Sequence, residues 1–498
     1  MAERDITLEQ PLVGADALGR LARAAFSFRA LLGFCLAAAT FVIVPACFND
    51  PDMWWHLRVG GDVLATGSWP KADPYSITVH GAPWIAAEWL GDVLIALAAQ
   101  LGNLRGVLLL QGVLSASLLL LLYYYATLRS GNFKSAFVAC GLLLPMLSPF
   151  LAMRPQLLGY NLLLVTLTCL ERFRQGHDKA LWLLPPVFLV WGNTHGTFAF
   201  GLLAMAVYWA SGLFSFQWGG LRAEPWSMPQ RKQLLVTILF CLLLLNVTPY
   251  GSELAAYPMT MAAKVPLGVA NVTEWQAMGT SAPLLTLFLA GLLLFLVALV
   301  ATRPSYRVED LALLLFAIYT ASVHARFTIV FVIIFAPFLA GLLGRWVTTY
   351  NSVRDRHLVN AVLMVVFGIA VVLYLPSERE LTQRTANDFP QAAVQYLREH
   401  PAPESMLNLY SWGGYLMWSM PEHQVFIDGR TDVYEPVGVF ADYLSIERLA
   451  PDALPLLQKY GVRSCLIPRE SALATLLSAA PGWDRAYEDK LSILFVRR

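Results

Sequence analysis

Between residues 30 and 375 the chain repeatedly turns apolar for about the length that crosses a bilayer: near 30 to 48, 107 to 127, 135 to 152, 157 to 170, 180 to 192, 197 to 216, 233 to 249, 281 to 302, 310 to 323, 327 to 344 and 358 to 375. Hydrocarbon offers no water to backbone N–H and C=O groups, so runs of this kind must be helices that satisfy their own hydrogen bonds. The pattern predicts an all-α polytopic membrane domain of about eleven transmembrane helices over residues 1–375, followed by a soluble α/β domain over 376–498. Composition agrees, with 57% hydrophobic and 14% charged residues, where a soluble chain has about 25% charged. A formal net charge of +1 leaves no basic face able to displace counterions from phosphates, which argues against a nucleic-acid partner.

The six cysteines, Cys35, Cys47, Cys140, Cys169, Cys241 and Cys465, have neither metal-ligand spacing nor a disulfide pattern and read as small hydrophobes. Arg20, Arg23 and Arg29 precede an apolar run that ends at Pro45 with no small-residue cleavage pattern, so an uncleaved first helix is expected.

Basic residues give the direction of threading. Seventeen Lys and Arg, among them Arg4, Arg20, Arg23, Arg29, Arg303 and Arg354, fall in loops on one side, and six (Arg58, Lys71, Arg105, Arg154, Lys264 and Arg326) fall on the other. The positive-inside rule then makes the N-terminus cytoplasmic, the number of spans odd and the tail extracytoplasmic, in a membrane of the bacterial inner type. Residues 84–101 are apolar but carry Glu88 and Asp92 one helical turn apart. An amphipathic helix at the outer interface is expected there, since two carboxylates in hydrocarbon would be costly.

With this threading, polar residues gather on one face. Asp50, Asp52, His56, Glu88 and Asp92 lie in the first external loop (49–106), and Arg154, Asn193, His195, Glu274, His324 and Arg326 at later outward turns. A polar cavity open to the outside is the simplest account of the set.

Residues 50–69 read DPDMWWHLRVGGDVLATGSW, and HGAPW follows at 80–84. This stretch resembles the first external loop of the GT-C class of membrane glycosyltransferases, which includes protein O-mannosyltransferases and aminoarabinose transferases. Asp52 matches the acidic residue after helix one; Thr66, Gly67 and Trp69 match a Thr-Gly-x-Trp element; His80, Gly81, Pro83 and Trp84 match the turn that follows. Met53 stands where the family often has a second acid, and Asp50 lies two positions before the first.

The resemblance implies a sugar transferred from a polyprenyl-phosphate-linked donor, with membrane lipids around it and a lipid, glycan or protein as acceptor. Asp52, supported by Asp50, is the expected base, because an acceptor hydroxyl attacks only as its proton is taken. The stretch SVHARFTIVFVIIFAPF (322–338) resembles the family's Arg or Lys before an aromatic and an apolar span. It assigns Arg326, with His324 and Arg154, to the donor phosphate, for which a guanidinium fork is suited. His56, Glu88, His195 and Glu274, the last beside Trp275, are the candidates for acceptor or sugar contact. The one cofactor this reading admits is a divalent cation, Mg or Mn, held by Asp50 and Asp52 if one binds. No Gly-x-Gly-x-x-Gly or P-loop element precedes a helix, in keeping with a lipid-linked rather than a nucleotide-linked donor. A transporter or flippase, or a polymerase or ligase of surface polysaccharide, are the alternatives.

In the tail, helices are expected at 389–400 and 453–461 and strands at 406–410, 423–429, 462–468 and 491–497. NLYSWGGYLMWSMPEHQVFIDGRTDVY (408–434) distantly resembles the Trp-Trp-Asp-Tyr-Gly region of oligosaccharyltransferase catalytic subunits. Ser411, Trp412 and Tyr415 are present, and Gly413 or Gly414 stands in place of the acid. Asp428, Arg430 and Asp432 are expected to pair with one another or to close over the cavity.

Overall fold

A computed structural model describes residues 13–278, 282–302, 305–348, 350–351 and 355–498. Arg4, Arg303 and Arg354, and the side chains of Cys47 and Lys264, lie outside the described residues. Each apolar run contains a helix, from Phe28–Ile43 to His357–Tyr374. Six of the described segments are long and apolar enough to cross a membrane: Phe28–Ala46, Trp89–Ser130, Phe133–Phe150, Pro283–Val300, Ala325–Leu343 and His357–Tyr374. Shorter or more polar helices, such as Gln156–Arg174 and Phe198–Ser211, pack among them. The chain is a multi-pass membrane protein.

Helix starts follow local chemistry. Ser27 accepts from the N–H of Ala30, Asn132 from those of Lys134 and Ser135, and Ser227 and Gln230 cap one another reciprocally, each satisfying N–H groups the first turn cannot. The long Trp89–Ser130 segment is two helices, broken at Gly102 and at Asn103, which has φ 52°. Asn tolerates positive φ better than most residues. The first of the two is the expected amphipathic stretch; of its two acids, Glu88 is partly exposed to the cavity and Asp92 is not. Asp92 is fully buried against protein and bonded to His56, because the helix packs so closely on Pro51–Thr66 that a Cβ at Gly60 would overlap the Asp92 carbonyl.

Two apolar cores form. One fills the helix bundle around Leu118, Leu164, Phe188, Phe331 and Phe335. The other joins the first external loop to the tail. Its centre is Trp54, edge-on to Tyr415 at 5.1 Å and to Phe389 at 5.5 Å, and such aromatic pairs add about 0.5–1.5 kcal/mol each beyond their buried area. Gly413 and Gly414, in the Tyr410–Ser419 helix, are needed here: a side chain on the first would overlap the carbonyl of Ile427, and one on the second would press on the Pro51 carbonyl. The tail thus shares its core with residues 44–108 rather than forming one of its own.

The tail sheet runs, in spatial order, Met406–Asn408, Ser464–Pro468, Ser492–Arg497 and Trp483–Glu488, with the first pair parallel and the others antiparallel. The expected strand at 423–429 is corrected. It runs extended but pairs with the first loop, Val425 N–H donating to the Tyr75 carbonyl (3.0 Å) and Ile77 N–H to the Val425 carbonyl (2.9 Å). At the far end of the Trp89–Ser130 segment the loop charges are neutralised internally, through Arg129–Asp310 (2.6 Å), Arg174–Glu309 (2.6 Å) and Arg307–Glu171 (2.5 Å).

Candidate active site

Pro51 opens the Pro51–Thr66 helix, and Asp50 caps it by accepting from the Asp52 N–H at 2.9 Å. Capping aims the first turn, and with it Asp52, into a cavity of about 470 Å³ between the first loop, the helix bundle and the tail. Gly67, with φ 64°, ends the helix as its left-handed cap, and Trp69 stacks edge-on to Trp89 at 5.5 Å. The Thr66-Gly67 and Trp69 element therefore closes the loop scaffold. His80 bonds Gln424 of the tail (2.7 Å), and Trp84 lies under the Arg430 guanidinium at 4.6 Å.

Arg154 organises one side of the cavity. Its Nε donates to Asp50 (2.9 Å) and its Nη1 to Glu274 (3.0 Å), with Asp52 Oδ2 3.1 Å from the same nitrogen. Three carboxylates on this guanidinium leave it little capacity for a donor phosphate. The same contact bears on Asp50 and Asp52 as metal ligands: the position a cation would take between them is held by a positive side chain, and a divalent ion there would meet like charge. Burial pushes the Asp52 carboxyl up to about 6; Arg154 opposes this, and Asp50 and Glu274 add to it. Burial would also raise Glu274, but Arg154 and Arg326 outweigh it and hold Glu274 below its ordinary value.

Arg326, in the short turn before Thr328–Leu343, lines the same cavity. One Nη donates to Gln156 (3.0 Å), the other lies 3.6 Å from Glu274, and the guanidinium sits 4.0 Å from the centre of the Trp275 ring. His324 lines the cavity beside it, its Nδ1 2.5 Å from the Trp275 carbonyl.

His56, Glu88 and His195 make the other wall. His56 Nδ1 bonds Asp92 at 2.6 Å; Glu88 lies 3.6 Å from His56 Nε2 and 3.1 Å from His195 Nε2. The Thr197 N–H donates to His195 Nδ1 at 3.0 Å. Burial, then Arg326 and Arg154, push His195 down to about 3, and burial, Arg154 and His195 lower His56.

All the sequence-predicted residues that line the cavity, Asp52, His56, Glu88, Arg154, His195, Glu274, His324 and Arg326, thus come together, and Asp50 stands behind Arg154. Sequence reasoning missed Gln156, Tyr257, Tyr410 and Gly429 in the lining. None carried a local signal, except that Gln156 follows Arg154. Arg430 pairs with Asp428 (2.6 Å) and, across 357 positions, with Asp73 (2.7 Å), while Asp432 accepts from the Tyr257 hydroxyl (2.9 Å). Arg430 and Asp428 thus pair with one another as expected, and Arg430 and Asp432, which line the cavity, are fastened to the first loop and to the helix bundle through Asp73 and Tyr257.

No protein-family model matches the chain. No curated protein matches it either. Among solved structures, it is similar to the Archaeoglobus fulgidus oligosaccharyltransferase tethered to an acceptor peptide containing the NVT sequon (12% identity, 95% of this chain and 75% of that one, TM-score 0.53). It is similar also to the AglB oligosaccharyltransferase of Archaeoglobus fulgidus in complex with an inhibitory peptide and a dolichol-phosphate (11% identity, 94% and 74%, TM-score 0.52). ArnT from Cupriavidus metallidurans bound to undecaprenyl phosphate aligns over 93% and 97% at 15% identity and a TM-score of 0.48.

Proposed function

From a chain with a GT-C-like fold, we propose a glycosyltransferase that moves a sugar from a polyprenyl-phosphate-linked donor to an acceptor hydroxyl on the extracytoplasmic face of a bacterial-type inner membrane. The observation that carries this reading is that Asp52 and Arg326, 274 positions apart in sequence, line one cavity and are joined through Glu274, which meets both Arg154 and Arg326.

Chemistry follows from the two ends of that cavity. Asp52 takes the acceptor proton as the hydroxyl oxygen forms its bond to the sugar C1, and the C1–O bond to the phosphate breaks. The polyprenyl phosphate leaves carrying the electron pair. Its growing charge meets Arg326, whose fork has one firm hydrogen bond, to Gln156, and so keeps donors for phosphate oxygens. Arg154 holds Asp50, Asp52 and Glu274 in register instead of binding phosphate itself. Trp275, with its ring against Arg326, and Glu274 offer the sugar an apolar face and an acceptor. The dolichol-phosphate in the AglB complex supports a lipid-linked donor, and the positive-inside count supports the extracytoplasmic face.

The test is transfer by the reconstituted protein from a polyprenyl-phosphate sugar. Asp52→Asn is expected to abolish transfer while donor binding persists. Undiminished transfer by this variant would remove Asp52 from the mechanism.

A further inference from the structure

The wall formed by His56, Glu88 and His195 sets two carboxyl groups, those of Glu88 and Asp92, beside an imidazole. Asp92 is fully buried, one of its oxygens bonded to His56 and the other, Oδ2, without a hydrogen-bond partner. Glu88 lies close by, and one donor atom from each of His56, Glu88 and Asp92 falls within 4.8 Å of the others. Two carboxyl groups and an imidazole converging this closely form a donor set that a cation would complete.

Hydrogen bonding sets the direction of each ligand atom. With the ring proton on Nδ1, shared with Asp92 at 2.6 Å, the Nε2 lone pair faces Glu88. Glu88 Oε2 is 3.6 Å from that nitrogen, too far for a hydrogen bond. It is near the roughly 3.3 Å that separates two ligands each about 2.0 Å from a tetrahedral ion. The other Glu88 oxygen is held by His195, whose Nδ1 accepts from the Thr197 N–H, so that Nε2–H points at Glu88 (3.1 Å). Each candidate ligand thus has its own orienting partner, the arrangement found around bound metals.

We infer that His56 Nε2 and Glu88 hold a divalent cation of the zinc type, oriented by Asp92 and His195, with its remaining positions open to the cavity. Mixed nitrogen and oxygen donors favour zinc over magnesium or calcium. Both ligands line the cavity, so an oxygen of a bound phosphate or hydroxyl can complete the coordination. The site differs from the Asp50 and Asp52 pair, where Arg154 already supplies the positive charge.

Zn²⁺ binding is measured without substrate and does not depend on the transferase reading. Tag-free, full-length protein in detergent, stripped with chelator, is titrated with Zn²⁺ by calorimetry, and metal content is measured after dialysis. One Zn²⁺ per chain is expected. Glu88→Gln, isosteric and at a partly exposed position, is expected to weaken binding at least 100-fold, Asp92→Asn by about 10- to 100-fold, and Asp52→Asn by less than threefold. Cobalt substitution, giving visible bands that Glu88→Gln removes, reads the same ligands by a second route, and an unchanged elution profile shows that this variant is folded. No stoichiometric binding by the parent protein, or binding that Asp52→Asn abolishes and folded Glu88→Gln leaves intact, overturns the assignment.

Discussion

Gly429 of the tail lies against the carboxylate of Asp52, so close that a methyl group in place of its hydrogen would overlap Asp52 Oδ1 and approach the Trp55 indole. The tail is therefore a wall of the cavity at the very group assigned the proton, and any side chain at residue 429 would have to displace the Asp52 carboxylate.

Gly429→Ala is accordingly expected to displace Asp52 and slow transfer by about 10²-fold, the usual effect of moving a reacting group by about 1 Å. Thermal unfolding should change little, because the overlap is with one side chain that can swing aside. A variant as active as the parent would show that Asp52 does not depend on this contact.

The pH profile tests Asp52 directly. Its carboxyl is raised from 3.8 to about 6 by burial, with Arg154 opposing, and only the deprotonated form accepts a proton. Rate should therefore fall about tenfold per pH unit below 6 and level off above it. A rate independent of pH from 5 to 7 would assign the base to another group.

Arg326 separates charge from geometry. Arg326→Ala is expected to reduce transfer by about 10²- to 10³-fold, as loss of a preorganised donor to a developing anion does. Arg326→Lys keeps the charge but loses the fork, and should recover only part of that. Steady-state kinetics on both variants read the difference, and equal activity of lysine and arginine would argue against a two-oxygen grip.

Arg430 tests how the tail is fastened. It is fully buried and bonded to Asp428 and Asp73. Arg430→Ala leaves the buried carboxylates of Asp428 and Asp73 without their positive partner, although Tyr434 and Ser76 still donate to them, and breaking such a group typically costs about 3–5 kcal/mol. A marked drop in unfolding temperature is expected, together with faster proteolysis between residues 425 and 435. An unchanged melting curve would mean that the shared apolar core alone holds the tail.

Much of this molecule is legible along the chain. Long apolar runs must become helices in lipid, and the helices fall where those runs are. Asp50, Pro51 and Asp52 announce a capped helix start, and the loop motif from Asp52 to Trp84 pointed to a GT-C-like fold. The expected strand at 423–429 failed because its partner backbone is at Tyr75 and Ile77, and pairing across some 350 residues leaves no trace in local pattern. For the same reason the packing of Trp54 on Tyr415, residues far apart in sequence, has no local signature.

By itself the sequence determined that the chain is built of apolar helices and which kinds of side chain face the cavity, because hydropathy and capping act within a few residues of one another. Tertiary structure alone decided their roles. Whether Arg154 meets a phosphate or three carboxylates, and whether Glu88 meets solvent or two imidazoles, depends on helices brought together from distant parts of the chain. Electrostatic interactions weaken with separation in space, irrespective of separation in sequence.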